Sequence, residues 1–172
     1  MKVVLDALLF ALLGISVYTD LKHKKIYNIV LLPAVVVAIF LNFYFLGIRG
    51  GLESLKGMLL GALLLILPFA LGGMGGGDVK LMAVVGAFKG PAFVWNAFIF
   101  SAVAGGILAL AAMVAEGKVL CRLRAVFLTL FSLLGFIPRG LDLLDSGKKS
   151  SPSLPYGIAI AAGTLMAYLW GR

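Results

Sequence analysis

Long apolar runs separated by short polar or glycine-rich breaks dominate the chain. A helix needs about 20 mainly apolar residues to cross a bilayer, so the longer runs are candidate transmembrane helices. The segments expected to cross are 3–19, 26–46, 55–71, 79–88, 93–115 and 156–170. The pattern therefore predicts an all-α, polytopic membrane protein with about six transmembrane helices in a single membrane-embedded domain, residues 1–172.

One apolar segment does not fit this scheme. Residues 125–137 form a run of 13 residues with basic flanks on both sides, which is short for a span. We interpret it as an in-plane or re-entrant cytoplasmic segment. The alternative is a seventh span, which would place its two basic flanks on opposite sides of the membrane.

Composition and charge narrow the class of protein. Of the 172 residues 62% are hydrophobic and 13% are charged, and the formal net charge is +8. These values exclude a soluble globular domain and a disordered chain, and they argue against nucleic-acid binding. Cys121, the single cysteine, excludes an intrachain disulfide, and no Cys/His set has the spacing of a zinc site. No metal or cofactor is expected.

The basic residues predict the orientation. With six spans, ten Lys and Arg residues fall on one face and five on the other. The positive-inside rule makes the richer face cytoplasmic, where its charges would contact anionic lipid headgroups.

Two acids are predicted to meet at that cytoplasmic face. Asp20 lies at the end of the first span and Asp78 at the start of the fourth, and these spans run in opposite directions. Two carboxyl groups that share a site do not ionise together easily, so one keeps its proton. Such a pair can activate a water and protonate a carbonyl oxygen, which is the chemistry of an aspartic protease. The alternative for Asp20 is a structural role only, as a helix-end residue paired with Lys24.

The segment before Asp78 has a composition that fits peptide binding. Five of the seven residues 72–78 are glycine, so a regular helix should stop there. Glycine also allows an extended substrate backbone to approach closely. Elsewhere, Gly57-x-x-x-Gly61 and Gly86-x-x-x-Gly90 predict close helix packing within the chain. Asp6, about 21 Å from Asp20 along the same helix, is expected to be an interfacial residue.

Three motifs together resemble a known family. Gly75-Gly-Gly-Asp78-Val-Lys-Leu81 is similar to the GxGDxKL motif of type IV prepilin peptidases, which are GxGD intramembrane aspartic proteases. The string from Thr19 to Asn28 resembles the first motif of that family, and Leu154 to Gly157 resembles its late Pro-Tyr/Phe-Gly-Pro motif. The chain departs from the pattern at Tyr27 and Ile158, where the family usually has proline.

The resemblance implies a function and a set of site residues. Asp20 and Asp78 would be the catalytic pair of an endopeptidase that removes the leader of prepilin or pseudopilin substrates. The protein would lie in the bacterial inner membrane with its active site facing the cytoplasm. The substrate-binding residues would be Gly75, Gly76, Gly77, Lys80, Lys24, Asn28, Pro155, Tyr156 and Gly157. Of these, Lys80 has an equal alternative role as a snorkelling anchor.

The chain is similar to the short members of the family, such as those of Tad-type pilus systems. Larger members carry an additional cytoplasmic domain with a tetracysteine zinc site that is linked to N-methylation of the processed pilin. With one cysteine, this chain is expected to cleave without methylating.

Two other functions remain open at this point. One is a different GxGD protease, which would share the two acids but cut a helix deeper in the membrane. The other is a non-enzymatic proton or ion carrier that uses Asp20 and Asp78 as a relay. The sequence leaves the oligomeric state open.

Overall fold

The computed structural model describes residues 2–23, 26–71, 73–115 and 156–171. They form five α-helices and no strand, which confirms the all-α class. The helices are α1 (Lys2–His23), α2 (Asn28–Ala70), α3 (Gly76–Lys89), α4 (Pro91–Ala115) and α5 (Tyr156–Trp170). Three of the predicted features, residues 125–137, Lys24 and Pro155, lie outside the described residues.

The chain divides into two compact units. The first comprises residues 1–105 and 155–172, and it includes α1, α2, α3, α5 and most of α4. The second comprises residues 106–154, of which the structure describes only the end of α4. Both acids of the sequence motifs belong to the first unit.

Within the described ranges, three helices are long and apolar enough to cross a membrane, namely α1 from Val3, α2 and α4. The fifth helix is apolar but shorter, at 15 residues. Many large apolar side chains on α2 are exposed, among them Ile29, Tyr44 and Ile48, as expected where lipid replaces water as the solvent. The chain is therefore an all-α membrane protein, and six spans remain a prediction.

The second and third predicted spans are the two arms of α2. The break between them is at Gly47, whose φ of 65° and ψ of −156° are not helical. Glycine adopts this backbone conformation without the strain that a Cβ would add. The chain reverses here, because Gly50 contacts the backbone of Asn42, eight residues earlier. The turn is much shorter than the predicted loop between residues 46 and 55.

The central helix of the first unit is α3. Leu81, Met82, Val85 and Ala87 are fully buried, and Val84 is 1% exposed. The helix packs against the second arm of α2, where Gly57 meets the backbone of Gly86 and Gly61 meets the backbone of Met82. This confirms the close packing within the chain that the glycine spacing predicts.

Polar groups connect both arms of α2 to the end of α3. The Ala87 carbonyl accepts hydrogen bonds from Asn42 Nδ2 at 3.2 Å and from Ser54 Oγ at 2.6 Å. Their energetic contribution is about 1 kcal/mol each in typical proteins. They place the turn of α2 beside the last turn of α3, which leaves the first turn of α3, with Asp78, at the other end.

Candidate active site

Asp20 lies in the last turn of α1 and is 6% exposed. Its carboxylate oxygen Oδ2 accepts a hydrogen bond of 2.9 Å from the backbone N–H of Gly157. Gly157 is the second residue of α5, where backbone N–H groups have no partner within the helix. The positive end of the α5 dipole therefore faces Asp20 and stabilises negative charge on it.

The close approach of α5 to Asp20 requires a glycine at position 157. A Cβ built on Gly157 would lie 2.7 Å from Asp20 Oδ2 and 3.2 Å from Asp20 Cγ. Both distances are shorter than van der Waals contact, so any side chain at this position would displace the carboxylate. The glycine of the late motif is thus explained by its contact with Asp20, 137 residues earlier in the chain.

Asp78 is held in a similar way at the start of α3. It is 7% exposed, and its Oδ2 accepts a hydrogen bond of 3.0 Å from the Gly75 N–H. In return, the Asp78 N–H donates to the Gly75 carbonyl at 3.1 Å. This reciprocal pair fixes Asp78 in the first helical turn, where the helix dipole favours a negative charge.

Asp20 and Asp78 line one cavity. Its volume is about 340 Å³, and its walls are the end of α1, the segment that leads into the start of α2, and Gly75 with the first turn of α3. The residues are Asp20, Ile26, Tyr27, Asn28, Gly75, Gly76, Gly77 and Asp78. A cavity of this size holds several waters, whose volume in the liquid is about 30 Å³ each.

The glycines before Asp78 pack closely against other residues that line the cavity. A Cβ on Gly77 would lie 3.0 Å from Ile26 Cβ, so the absence of a side chain lets the start of α3 approach the segment after α1. A Cβ on Gly75 would be 3.4 Å from Asp78 Oδ2, an ordinary contact. Gly77 therefore has the stronger steric reason to be glycine.

Two further motif residues lie near the cavity. Lys80 donates a hydrogen bond of 2.9 Å from Nζ to Asn28 Oδ1, which connects the GxGD motif to the first motif. Tyr156 packs with its ring against Gly105 of α4, and it directly precedes Gly157, whose N–H donates to Asp20.

The geometry brings together most of the residues that the sequence motifs indicate. Both acids and the three glycines line the cavity with Asn28, while Lys80, Tyr156 and Gly157 contact its walls or lie beside them. Ile26 and Tyr27 are wall residues that we did not predict, although both belong to the first motif. Their position in that motif could have identified them as residues of the site.

Comparison with known proteins connects this site to a family. The sequence profile of the type IV leader peptidase family matches residues 7–110, which include both acids and the glycine segment. The chain belongs to the type IV leader peptidase family. The predicted family resemblance is thereby confirmed.

A curated relative supports the same relationship. The prepilin leader peptidase/N-methyltransferase of Bacillus subtilis (strain 168) is 31% identical over 151 residues, which cover 84% of this chain and 49% of that protein. The chain thus spans about half the length of this relative. No solved structure matches the chain significantly.

Proposed function

We propose that the protein is an aspartic endopeptidase that removes the leader peptide of type IV prepilin-like proteins. The observation that carries the proposal is the shared cavity, in which Asp20 and Asp78 form a wall together with a glycine-rich segment. Family membership supports the reaction class. The basic residues support an active site at the cytoplasmic face of the bacterial inner membrane.

The two acids act on one water in this proposal. One carboxylate accepts a proton from the water while the water oxygen attacks the scissile carbonyl carbon. The other carboxyl group donates its proton to the carbonyl oxygen. The resulting tetrahedral diol collapses as one of its hydroxyl groups returns a proton to the second carboxylate, the C–N bond breaks, and the amine nitrogen takes the proton held by the first carboxyl group. One water is consumed, and the two acids return to their starting states.

The cavity walls suggest how the substrate is held. Peptide cleavage requires an extended backbone, and the side-chain-free segment Gly75–Gly77 allows such a backbone to approach Asp78. A basic leader gains no attraction from a basic cytoplasmic face. Recognition therefore depends mainly on the apolar helix of the prepilin, which docks against the transmembrane helices.

The proposal is tested by co-expressing the protein with a prepilin and identifying the pilin N-terminus by mass spectrometry. We expect cleavage at the end of the leader, with an unmethylated new N-terminus. The double variant Asp20→Asn/Asp78→Asn is the negative control. Glu53→Gln removes an exposed carboxylate outside the site and should cleave like the wild type.

Retention of the leader in the presence of correctly inserted wild-type protein would contradict the proposed function. Cleavage by the double variant would contradict the proposed mechanism. A methylated product would show that the expected absence of methylation is wrong.

Substitution of Gly157 by alanine should lower kcat for leader cleavage by about tenfold or more, because a misplacement near 1 Å can cost 10²-fold. The added Cβ would lie 2.7 Å from Asp20 Oδ2 and would push the carboxylate from its position. Initial cleavage rates on purified, reconstituted protein provide the measurement. Gly14→Ala in α1 is the matched control, since a Cβ there meets no described atom within 4 Å. Equal rates for both variants would refute the role of this contact.

A further inference from the structure

A partly buried ion pair joins α1 to α3 at the end of the helices opposite the two acids. Asp6 Oδ1 pairs with Lys89 Nζ, and their side chains are 12% and 18% exposed. The Tyr168 hydroxyl of α5 donates a hydrogen bond of 2.9 Å to Asp6 Oδ2. Asp6, for which the sequence predicts a place at the membrane interface, is buried between helices and has its partners on two of them.

Aromatic rings complete the surroundings of the lysine. Lys89 Nζ lies 4.6 Å from the centre of the Tyr168 ring and 5.2 Å from that of Phe93. Such cation–π contacts stabilise a partly desolvated ammonium group. We call Asp6, Lys89 and Tyr168 the distal cluster.

The distal cluster connects the same three helices that carry the candidate active site. At 1.5 Å per residue, Asp6 lies about 21 Å from Asp20 along α1, and Lys89 about 16 Å from Asp78 along α3. On α5, Tyr168 bonds to Asp6 while Gly157 bonds to Asp20. Helices α1 and α5 are therefore joined to each other at both ends, and α3 is joined to α1 at the distal end.

The contacts that hold α3 against α2 do not by themselves fix it relative to α1. They run through Gly57, Gly61 and Gly86 and through the hydrogen bonds that the Ala87 carbonyl accepts from α2. The partly buried ion pair at the C-terminal end of α3 can set the position of α3 along α1. Removal of one partner would leave an uncompensated buried charge.

We propose that Asp6 and Lys89, supported by Tyr168, are positioning residues that set the location of Asp78 relative to Asp20. This inference rests on the proposed function, because it assigns the cluster a role in arranging the two acids. The cluster itself does not touch the reacting atoms.

A proximity measurement tests the positioning without using activity. In a Cys121→Ser background, the pair Ile26→Cys/Gly77→Cys should form a disulfide under mild oxidation. The two Cβ positions are 3.0 Å apart, and a relaxation of about 0.5 Å brings them to the Cβ–Cβ separation of a disulfide, about 3.5–4.5 Å. The rate of cross-linking reports how the start of α3 meets the segment after α1. It is measured with Lys89→Met, with Lys89→Arg and with the neutral pair Asp6→Asn/Lys89→Met.

We expect cross-linking at least fivefold slower with Lys89→Met and with the neutral pair, and within twofold of wild type with Lys89→Arg, which keeps the cation. The neutral pair removes both charges, so neither is left without its partner. It therefore provides the test if Lys89→Met fails to fold. Lys56→Met is the matched control, since its ion pair with Glu53 is exposed. An unchanged rate in the folded neutral pair would overturn the proposal.

Cleavage kinetics of the same charge variants, in the protein without the added cysteines, provide the second readout. Per correctly inserted molecule, kcat should fall at least tenfold in the neutral pair, with KM within threefold and with rescue by Lys89→Arg. Normal kcat together with slow cross-linking would show that the position set by the distal cluster does not affect catalysis, and would overturn that part of the proposal. If the wild-type protein cuts no prepilin, the proposed function fails, while the cross-linking rates still decide whether the cluster positions α3.

Discussion

Replacement of either Asp20 or Asp78 by asparagine should lower kcat/KM for leader cleavage by about a thousandfold or more. General acid–base catalysis contributes roughly 10²–10⁴-fold, and asparagine has nearly the same shape as aspartate but does not exchange a proton. Each side chain can still accept its backbone hydrogen bond from Gly157 or Gly75. The loss should therefore arise from the chemical step, with KM nearly unchanged.

The double variant should be no slower than either single variant. Residues that act as a unit show strongly non-additive effects, and in the proposed mechanism the two acids together activate one water. Single-turnover rates with excess enzyme, measured for both single variants and the double variant, provide the comparison. Glu53→Gln is the control for loss of a carboxylate elsewhere.

A single variant that cuts at the wild-type rate would refute the two-acid mechanism. In that event, a proton or ion relay through Asp20 and Asp78 becomes the leading interpretation. Loss of proton flux in Asp→Asn variants would then be its test.

Alanine at Gly57 or at Gly86 should prevent α2 and α3 from packing and remove most of the folded protein. A Cβ on Gly57 would lie 2.8 Å from the carbonyl carbon of Gly86 and would overlap its oxygen. Backbone atoms cannot move aside as a flexible side chain does, so we expect a destabilisation of about 3 kcal/mol, the upper end for overpacked cores.

Thermal unfolding of the purified variants, followed by loss of the monodisperse peak on size exclusion, measures this effect. Gly106→Ala is the matched control because a Cβ there meets no described atom within 4 Å. Wild-type melting temperatures for Gly57→Ala and Gly86→Ala would show that the two helices are not in contact at these glycines.

The sequence was sufficient to predict the fold class and to group the site residues. Apolar runs indicated where the helices lie, and the glycines at 57 and 86 indicated a close crossing, because helix periodicity relates sequence spacing directly to one helix face. The motifs around Asp20, Asp78 and Gly157 predicted residues that the structure places around one cavity or beside it.

Other features depend on contacts between distant segments and were not accessible from spacing. Asp6 has no local partner, and its burial follows from Lys89 and Tyr168, 83 and 162 residues away. Likewise, the reversal at Gly47 depends on a positive φ, and the apolar pattern on either side suggested a longer loop. In both cases, contacts between segments that are distant in the sequence determine the outcome: whether Asp6 is exposed or buried, and whether the turn near Gly47 is long or tight.

Each acid that lines the cavity accepts a hydrogen bond from a backbone N–H: Asp20 from Gly157 and Asp78 from Gly75. Because these donors belong to the main chain, exchange of the wall side chains Ile26 and Tyr27 does not remove them. If the proposed function holds, substrate preference can therefore change through the walls of the cavity while the two carboxyl groups stay in place. Engineering a new leader specificity should begin at those two positions.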